Sequence, residues 1–509
     1  MELTTALDGL IAAELIFRRG VPPEATYLFK HALVRDAAYE SQLKEKRRAI
    51  HARILKALEI DPDIGPEVRA VHAEAANLTD RAIDLWEAAG KAAIARPAFK
   101  EGISNLRRAI SLIMPRLETD DTTILTRALG FQVQLGLASM AGNGFGSDQT
   151  KAAWIRALAL ADEVGETPLR FSILYGLMTT RYIRGDHMEA IRHGQALVDL
   201  AENSIETAHP VVANRSFAIS LMFAGQVEQA QPYFDRALDL FNLDQHQGLA
   251  HLYGVDLGIG SHGYICLNLL IRGKTQRAER IFRDGERYAA ACSDVASDCY
   301  LQLIGTIMNV VTGDRAKMER HAKCMFDLSE QYKLPFFESH AALSRAILRS
   351  ESGDSAAIAN FDSIDEATEA TKALAFLPSW RIESGIHALA LGLRAQAARL
   401  ATKAQQMMDE TGENMWRSNL HRLYASLARD EGNGEAAERH LNDALSVARQ
   451  QGAKLWELRA AIDLAHIMQD QGRMDEAIAI LTPVHASIAD GDCLKDQATA
   501  RKLLEEFAT

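Results

Sequence analysis

Residues 225–237 read GQVEQAQPYFDRA: a glycine, then Ala230 five positions on, Phe234 at nine and Ala237 at twelve. The same register returns in Gly432, Ala437, Leu441 and Ala444, and most of it in Gly273, Ala278 and Phe282. Gly185/Ala190, Gly392/Ala397 and Gly472/Ala477 keep the first step, while Gly313 and Gly353 hold the phase with the alanine replaced. Successive glycines lie 40, 48, 40, 40, 39, 40 and 40 residues apart. A fixed period of this size marks a solenoid, whose units bury their apolar faces only against their neighbours.

Seven positions before each glycine a small residue recurs, at Ala218, Cys266, Thr306, Ala346, Gly385, Ala425 and Ala465, with Met178 the exception. Small side chains there let two helices cross closely. Each unit therefore reads as helix, glycine turn, helix. An A-x3-F step after a glycine turn resembles the tetratricopeptide repeat, whose unit of about 34 residues is here lengthened by about six. HEAT and armadillo repeats reach this length but lack the glycine-to-alanine register. Phe337, Phe376, Trp416 and Trp456 each stand sixteen positions before a turn glycine. A stripe recurring once per unit is expected to pack adjacent repeats rather than to form a ligand-facing ladder.

Composition agrees with an all-α solenoid of antiparallel helix pairs. Of 509 residues, 48% are hydrophobic and only 6% aromatic, so Ala and Leu close helix on helix. The formal charge is −12, split as +2 in the first sixty residues and −14 in the remainder. A long acidic solenoid is a poor phosphate binder, which points to a protein or peptide partner and away from nucleic acid. The five cysteines, at 266, 292, 299, 324 and 493, include no C-x-x-C pair, so neither a zinc site nor a disulfide framework is expected. No apolar run approaches the roughly 18–20 residues that span a bilayer. The expectation is a soluble, cytoplasmic chain with no cofactor.

Three segments follow. Residues 166–509 are the solenoid with the period of about 40. Residues 61–165 carry a blurred version of it, with helical patterns at 66–113, 122–139 and 149–165. PRLETDD (115–121) and AGNGFGSD (141–148) interrupt it; the second reads as a flexible loop, without the Lys-Ser/Thr that a phosphate-cradling loop needs. Residues 1–60 differ: a helix from Leu3 to Phe17, a turn at Pro22-Pro23, a strand at Thr26–Phe29, and helices over His31–Leu43 and Glu45–Glu59. This order resembles the last part of a winged-helix unit.

YLFKHALVRDAAYESQLKEKRRAIHARILKALE (27–59), LFNLDQHQGLAHLYGVDLGIGSHGY (240–264), GENMWRSNLHRLYASLARDEG (412–432) and ARQQGAKLWELRAAIDLAHIMQDQGRMDEAIAILTPVHASI (448–488) together carry a more specific likeness. In order and spacing they resemble the tail of bacterial signalling proteins that join a class III nucleotide cyclase domain, an AAA/STAND-type ATPase and tetratricopeptide-like repeats. The resemblance implies a regulatory tail whose cyclase and ATPase domains would precede residue 1. No G-x4-G-K-[ST] occurs in the sequence. The expected function is a non-catalytic scaffold for protein interaction or signal sensing, with no catalytic residues. The alternative is a subunit or fragment of an ATPase or adenylate cyclase whose catalytic domains are supplied upstream or in trans. A transcriptional regulator is the third reading.

Few residues invite a chemical role. By the resemblance, His31 would sense nucleotide when an ATPase core is present; the plainer expectation is that His31 caps its helix while Tyr39 packs inward. Arg47, Arg48, His51, Arg53 and Lys56 make one helix basic, read as a solvated face balanced by Glu40, Glu45 and Glu59. The 48-residue interval holds the one large irregularity, and His246, His251, Tyr253 and Asp256 fall inside it. An H-x4-H pair with a distant Asp matches no strong metal motif, so these four form a candidate binding loop that shapes the groove.

Overall fold

The computed structural model describes residues 3–507 apart from 23, 97, 118–120, 166, 293 and 489–493, and only the backbone at 251, 359 and 494. Cys493 therefore lies outside the described residues. The chain divides into two compact units, Met1–Asp120 and Asp121–Thr509.

The first unit contains α1 (Leu3–Ala12), β1 (Ile16–Arg19), β2 (Thr26–Phe29), α2 (Ala32–Glu40), α3 (Lys44–Leu58), α4 (Pro66–Ala75), α5 (Thr79–Ala95) and α6 (Phe99–Ile113). Helix α1 ends well before the expected Phe17. Glu14 turns the backbone to a φ of 57°, and Ile16–Arg19 pairs antiparallel with Thr26–Phe29, Phe17 opposite Leu28. Ala70, Ala73, Ala82, Ile83, Ala93 and Leu106 form the core of α4 to α6. Before α4, only Ile16 and Leu55 are buried hydrophobic side chains among the described residues.

In the second unit α7 (Thr122–Gly142), α8 (Asp148–Val164), α9 (Arg170–Ile183), α10 (His187–Ala201), α11 (Ala208–Phe223) and α12 (Val227–Leu240) follow as antiparallel pairs. Two single turns, α13 (Leu243–His246) and α14 (Ala250–Tyr253), occupy the long interval. Pairing resumes with α15 (Leu257–Ile271), α16 (Thr275–Ala289), α17 (Val295–Thr312), α18 (Arg315–Tyr332) and α19 (Pro335–Glu351), whose partner is broken into α20 (Ser355–Ala359) and α21 (Phe361–Ala370). The last helices are α22 (Leu377–Ala390), α23 (Arg394–Thr411), α24 (Arg417–Asp430), α25 (Gly434–Gln451), α26 (Lys454–Asp470), α27 (Met474–Ala486) and α28 (Leu494–Phe507).

All eight glycines of the sequence pattern turn the chain between the helices of a pair, with φ between 72° and 85°. At Gly225 the amide donates to Met222 O and the next amide to Leu221 O, at 3.0 and 2.9 Å, which satisfies carbonyls the helix end would otherwise leave open. A side chain in that left-handed conformation costs roughly 1–2 kcal/mol, which is why glycine recurs. The alanines five residues later, from Ala190 to Ala477, are fully buried. Phe337, Phe376, Trp416 and Trp456 are buried too, with the Trp416 and Trp456 rings 5.5 Å apart, so the aromatic stripe packs repeat on repeat.

The repeats also close on themselves across a long interval. Leu374 and Ala375 amides donate to Ile183 O, at 2.7 and 3.1 Å, and Asn414 and Met415 amides donate to Phe223 O, at 2.8 and 3.3 Å. The leading bond of each pair spans 191 residues. A side-chain contact of shorter span joins Arg459 to Val311 O, 148 residues away. At the ends of α9 and α11, successive turns of the superhelix therefore touch along a seam about five repeats apart.

Candidate functional site

The chemistry of the second unit concentrates where the inner helices α9, α11, α15, α17 and α19 converge. They line a partly open cavity with about 40 Å³ of space for water-sized groups. Tyr175 and Tyr182 come from α9, Arg215 from α11, Tyr264 from α15, Tyr300 from α17 and Phe336 from α19. The aromatic rings make its walls predominantly apolar. Arg215 is only 4% exposed, and its Nη1 is buried with no hydrogen-bond partner. Among the described residues no carboxylate lies within ion-pair distance of it.

The packing leaves specific room for that guanidinium. A Cβ at Gly260 would stand 2.0 Å from Arg215 Nη1, and one at Gly263 would stand 2.4 Å from the Tyr300 ring and hydroxyl. Two glycines one turn apart thus let α15 face a cation and a phenol. The Tyr300 hydroxyl accepts from the Tyr264 amide at 3.1 Å. Burial drives the Tyr182, Tyr264 and Tyr300 phenols above their usual range and Tyr253 up to about 12. The phenols therefore stay neutral at physiological pH. They surround Arg215 without neutralising it.

Two interruptions of the repeat pattern reach this place. Phe145, from the loop between α7 and α8, lines the cavity, as does Val255 from the long interval. The segments approach each other: a Cβ at Gly254 would lie 3.4 Å from the Phe145 ring. Residues 143–147 do not behave as the free loop expected from AGNGFGSD. Gly146 is pressed against Lys372, where a Cβ would meet the carbonyl at 2.4 Å, and its own carbonyl accepts from Arg184.

The candidate loop residues do not converge on one ligand. His246 is buried, with Nδ1 accepting from the Asn242 amide at 3.1 Å and Nε2 3.1 Å from Thr207 Oγ1; burial lowers its pKa. Tyr253 is buried edge-on against Tyr175, whose hydroxyl donates to the Tyr253 carbonyl. Asp256 caps α15 by accepting from the Gly258 and Ile259 amides at 2.8 and 3.2 Å. The side chain of His251 lies outside the described residues. In the first unit His31 stands at the N-cap of α2 without a side-chain capping bond. Tyr39 does not pack inward. It is 46% exposed, and its hydroxyl lies 3.0 Å from His51 Nε2, because α2 has no buried face to receive it.

Elsewhere His421 of α24 and His440 and Asp443 of α25 bring possible ligand atoms within 4.8 Å of one another. Asp443 is exposed and Tyr424 stacks on His440. This is the one such trio among the described residues. Sequence reasoning missed Arg215 and the tyrosines around it. The available signal was a lone arginine in the otherwise uncharged stretch VVANRSFAISLMF (211–223).

No known family profile matches the chain. An uncharacterized protein of Rhizobium meliloti (strain 1021) is 23% identical over 483 residues, which cover 92% of this chain and 46% of the relative. The chain thus spans about half the length of the curated relative it matches. Among solved structures, the Cut9–Hcn1 hetero-tetramer of the APC/C aligns with 94% of this chain and 87% of its own, at 12% identity and a TM-score of 0.48. Yeast Tom70 aligns with 92% and 96% at 12% identity and 0.33, and the human IFIT1 dimer with PPP-AAAA with 80% and 91% at 10% identity and 0.38. No ligand or partner passes to this chain from likenesses of that size. Its own helix pairs, glycine turns and inter-repeat packing make it an all-α helical-repeat scaffold with tetratricopeptide-like units.

Proposed function

We propose that the chain is the interaction and sensing arm of a signalling assembly, and that its amino-terminal segment docks on an ATPase or cyclase domain supplied in the same polypeptide or in trans. The observation that carries this reading is the bare apolar surface of residues 1–60. Leu33 and Ile60 are 83% exposed, Leu43 is 78% exposed, and Phe17, Leu28 and Phe29 stand out on the hairpin. A surface of this kind, with so little core beneath it, is characteristic of an interface. In such an assembly His31, exposed on the same segment, is our candidate for contact with a nucleotide.

Photocrosslinking from position 33 in the native host, with mass-spectrometric identification, tests the proposal. The expected product contains an ATPase or cyclase domain. Leu43→Asp should weaken its capture at least about tenfold, since a buried carboxylate without a partner costs more than the roughly 1.4 kcal/mol that tenfold represents. Crosslinks confined to second copies of this chain would overturn the assignment.

A further inference from the structure

We propose that the Arg215 cavity is a binding site for a small monocarboxylate, whose carboxylate pairs with the guanidinium and whose apolar body lies among the tyrosine and phenylalanine rings. The site is independent of the docking surface on the other unit.

The argument starts from an uncompensated charge. A buried ion without a counter-ion is costly, and proteins tolerate it where something else supplies the opposite charge. Arg215 is held in the interior, with Nη1 unpartnered, by a backbone that makes room for it at Gly260. The neutral phenols leave its charge for another group to balance. A carboxylate matches the planar fork of a guanidinium and brings one negative charge against one positive. A phosphate dianion would leave a second charge in a cavity whose walls are aromatic.

Size and placement agree with this class. A water needs at least about 10–15 Å³ of such internal space, so 40 Å³ holds a group of a few heavy atoms, a carboxylate with a short carbon chain. Tyr175, Tyr182 and Tyr300 line the same chamber and give the carbon chain aromatic walls. Two segments that depart from the repeat, through Phe145 and Val255, form part of the wall. Departures from a strict repeat carry functional features more readily than the repeat itself.

Calorimetric and thermal-unfolding titrations of the full chain with acetate, propionate and butyrate, against sodium chloride at equal ionic strength, test the site. Saturating binding by at least one carboxylate is expected, with a melting shift absent from the chloride control. Arg215→Met should abolish binding yet melt roughly 2–4 °C higher without ligand, because an unpaired buried charge has been replaced by an apolar side chain of similar length. Gly260→Ala keeps the charge but displaces the guanidinium, and should weaken binding at least about tenfold, the 1.4 kcal/mol expected for a lost charged hydrogen bond. Binding that survives both substitutions, a response to chloride alone, or no response to any of the three acids would overturn the proposal. If Arg215→Met fails to fold, Gly260→Ala and the anion series decide it.

Discussion

At the scale of single residues, burial sets the chemistry more than sequence neighbours do. His340 of α19 is buried, and its Nδ1 accepts from Trp380 Nε1 at 2.9 Å, so the ring is held neutral and its pKa falls to about 3. His321 of α18, facing Gln302 through Nδ1 at 2.7 Å, falls to about 4, with burial again the first cause and Arg320 the next. For a histidine depressed in the folded state, the unfolded chain takes up the proton first. Its stabilisation is complete above about pH 6.5 and is lost as pH falls toward the folded value. His340 should therefore contribute a loss of about 1.4 kcal/mol for each pH unit below 6.5, down to its folded pKa. Urea unfolding followed from pH 7 to pH 5 should show this slope, and His340→Gln, which can still accept from Trp380, should flatten it. An unchanged slope in that variant would place the acid sensitivity elsewhere. Nothing in the sequence distinguishes His340 from the exposed His31; only the neighbouring Trp380 and the depth of α19 do.

Helices and turns were the most legible level, because the physical demand at each turn selects one residue. The glycine interval is visible in the sequence since a left-handed residue is needed once per repeat, and glycine supplies it at each of the eight turns. A second comb is only half visible. Gly412 and Gly452 end α23 and α25 with φ of 76° and 68°, but the equivalent positions two repeats and one repeat before Gly412 are Lys333 and Lys372, with φ of 55° and 60°. Lysine there conceals the turn from any search for glycine. Lys333, which caps α18 in the left-handed conformation, should accept glycine favourably: Lys333→Gly is expected to stabilise the second unit by about 1 kcal/mol. Gly412→Ala should destabilise it by a similar amount. Denaturant unfolding of the two variants checks both signs, and a loss of stability on Lys333→Gly would mean that the lysine side chain matters more than its backbone. In the amino-terminal segment the sequence reading failed for a related reason. The apolar run Leu3–Phe17 looks like one amphipathic helix, yet Glu14 breaks it and the last residues join a hairpin whose pairing is invisible to helical periodicity.

The whole second unit shows what a periodic sequence cannot encode by its period. Nearest-neighbour packing repeats every 40 residues and can be read; the seam joins residues 191 apart and has no periodic signature. Phe376 links the two levels. It is buried, takes a φ of 67° at the start of α22, and packs against Phe223 at 4.9 Å and Tyr264 at 5.9 Å across the seam. In sequence it is one member of the aromatic stripe; in the fold it is also the plug between two turns of the superhelix. Beside it Glu413 is buried 3.8 Å from His187, and burial raises its pKa, so the seam holds polar groups that only a closed arrangement shields. Phe376→Ala should remove about 3–5 kcal/mol of packing. If the seam opens as one piece, the amides of Leu374 and Ala375 will lose protection from hydrogen exchange together with those of Asn414 and Met415, although the second pair lies on the next repeat. The central amides of α24 and α26, bonded within their own helices, should keep theirs. Deprotection limited to Leu374 and Ala375 would show that the rungs open separately, and that closure of the superhelix is a sum of local contacts rather than a cooperative property of the unit.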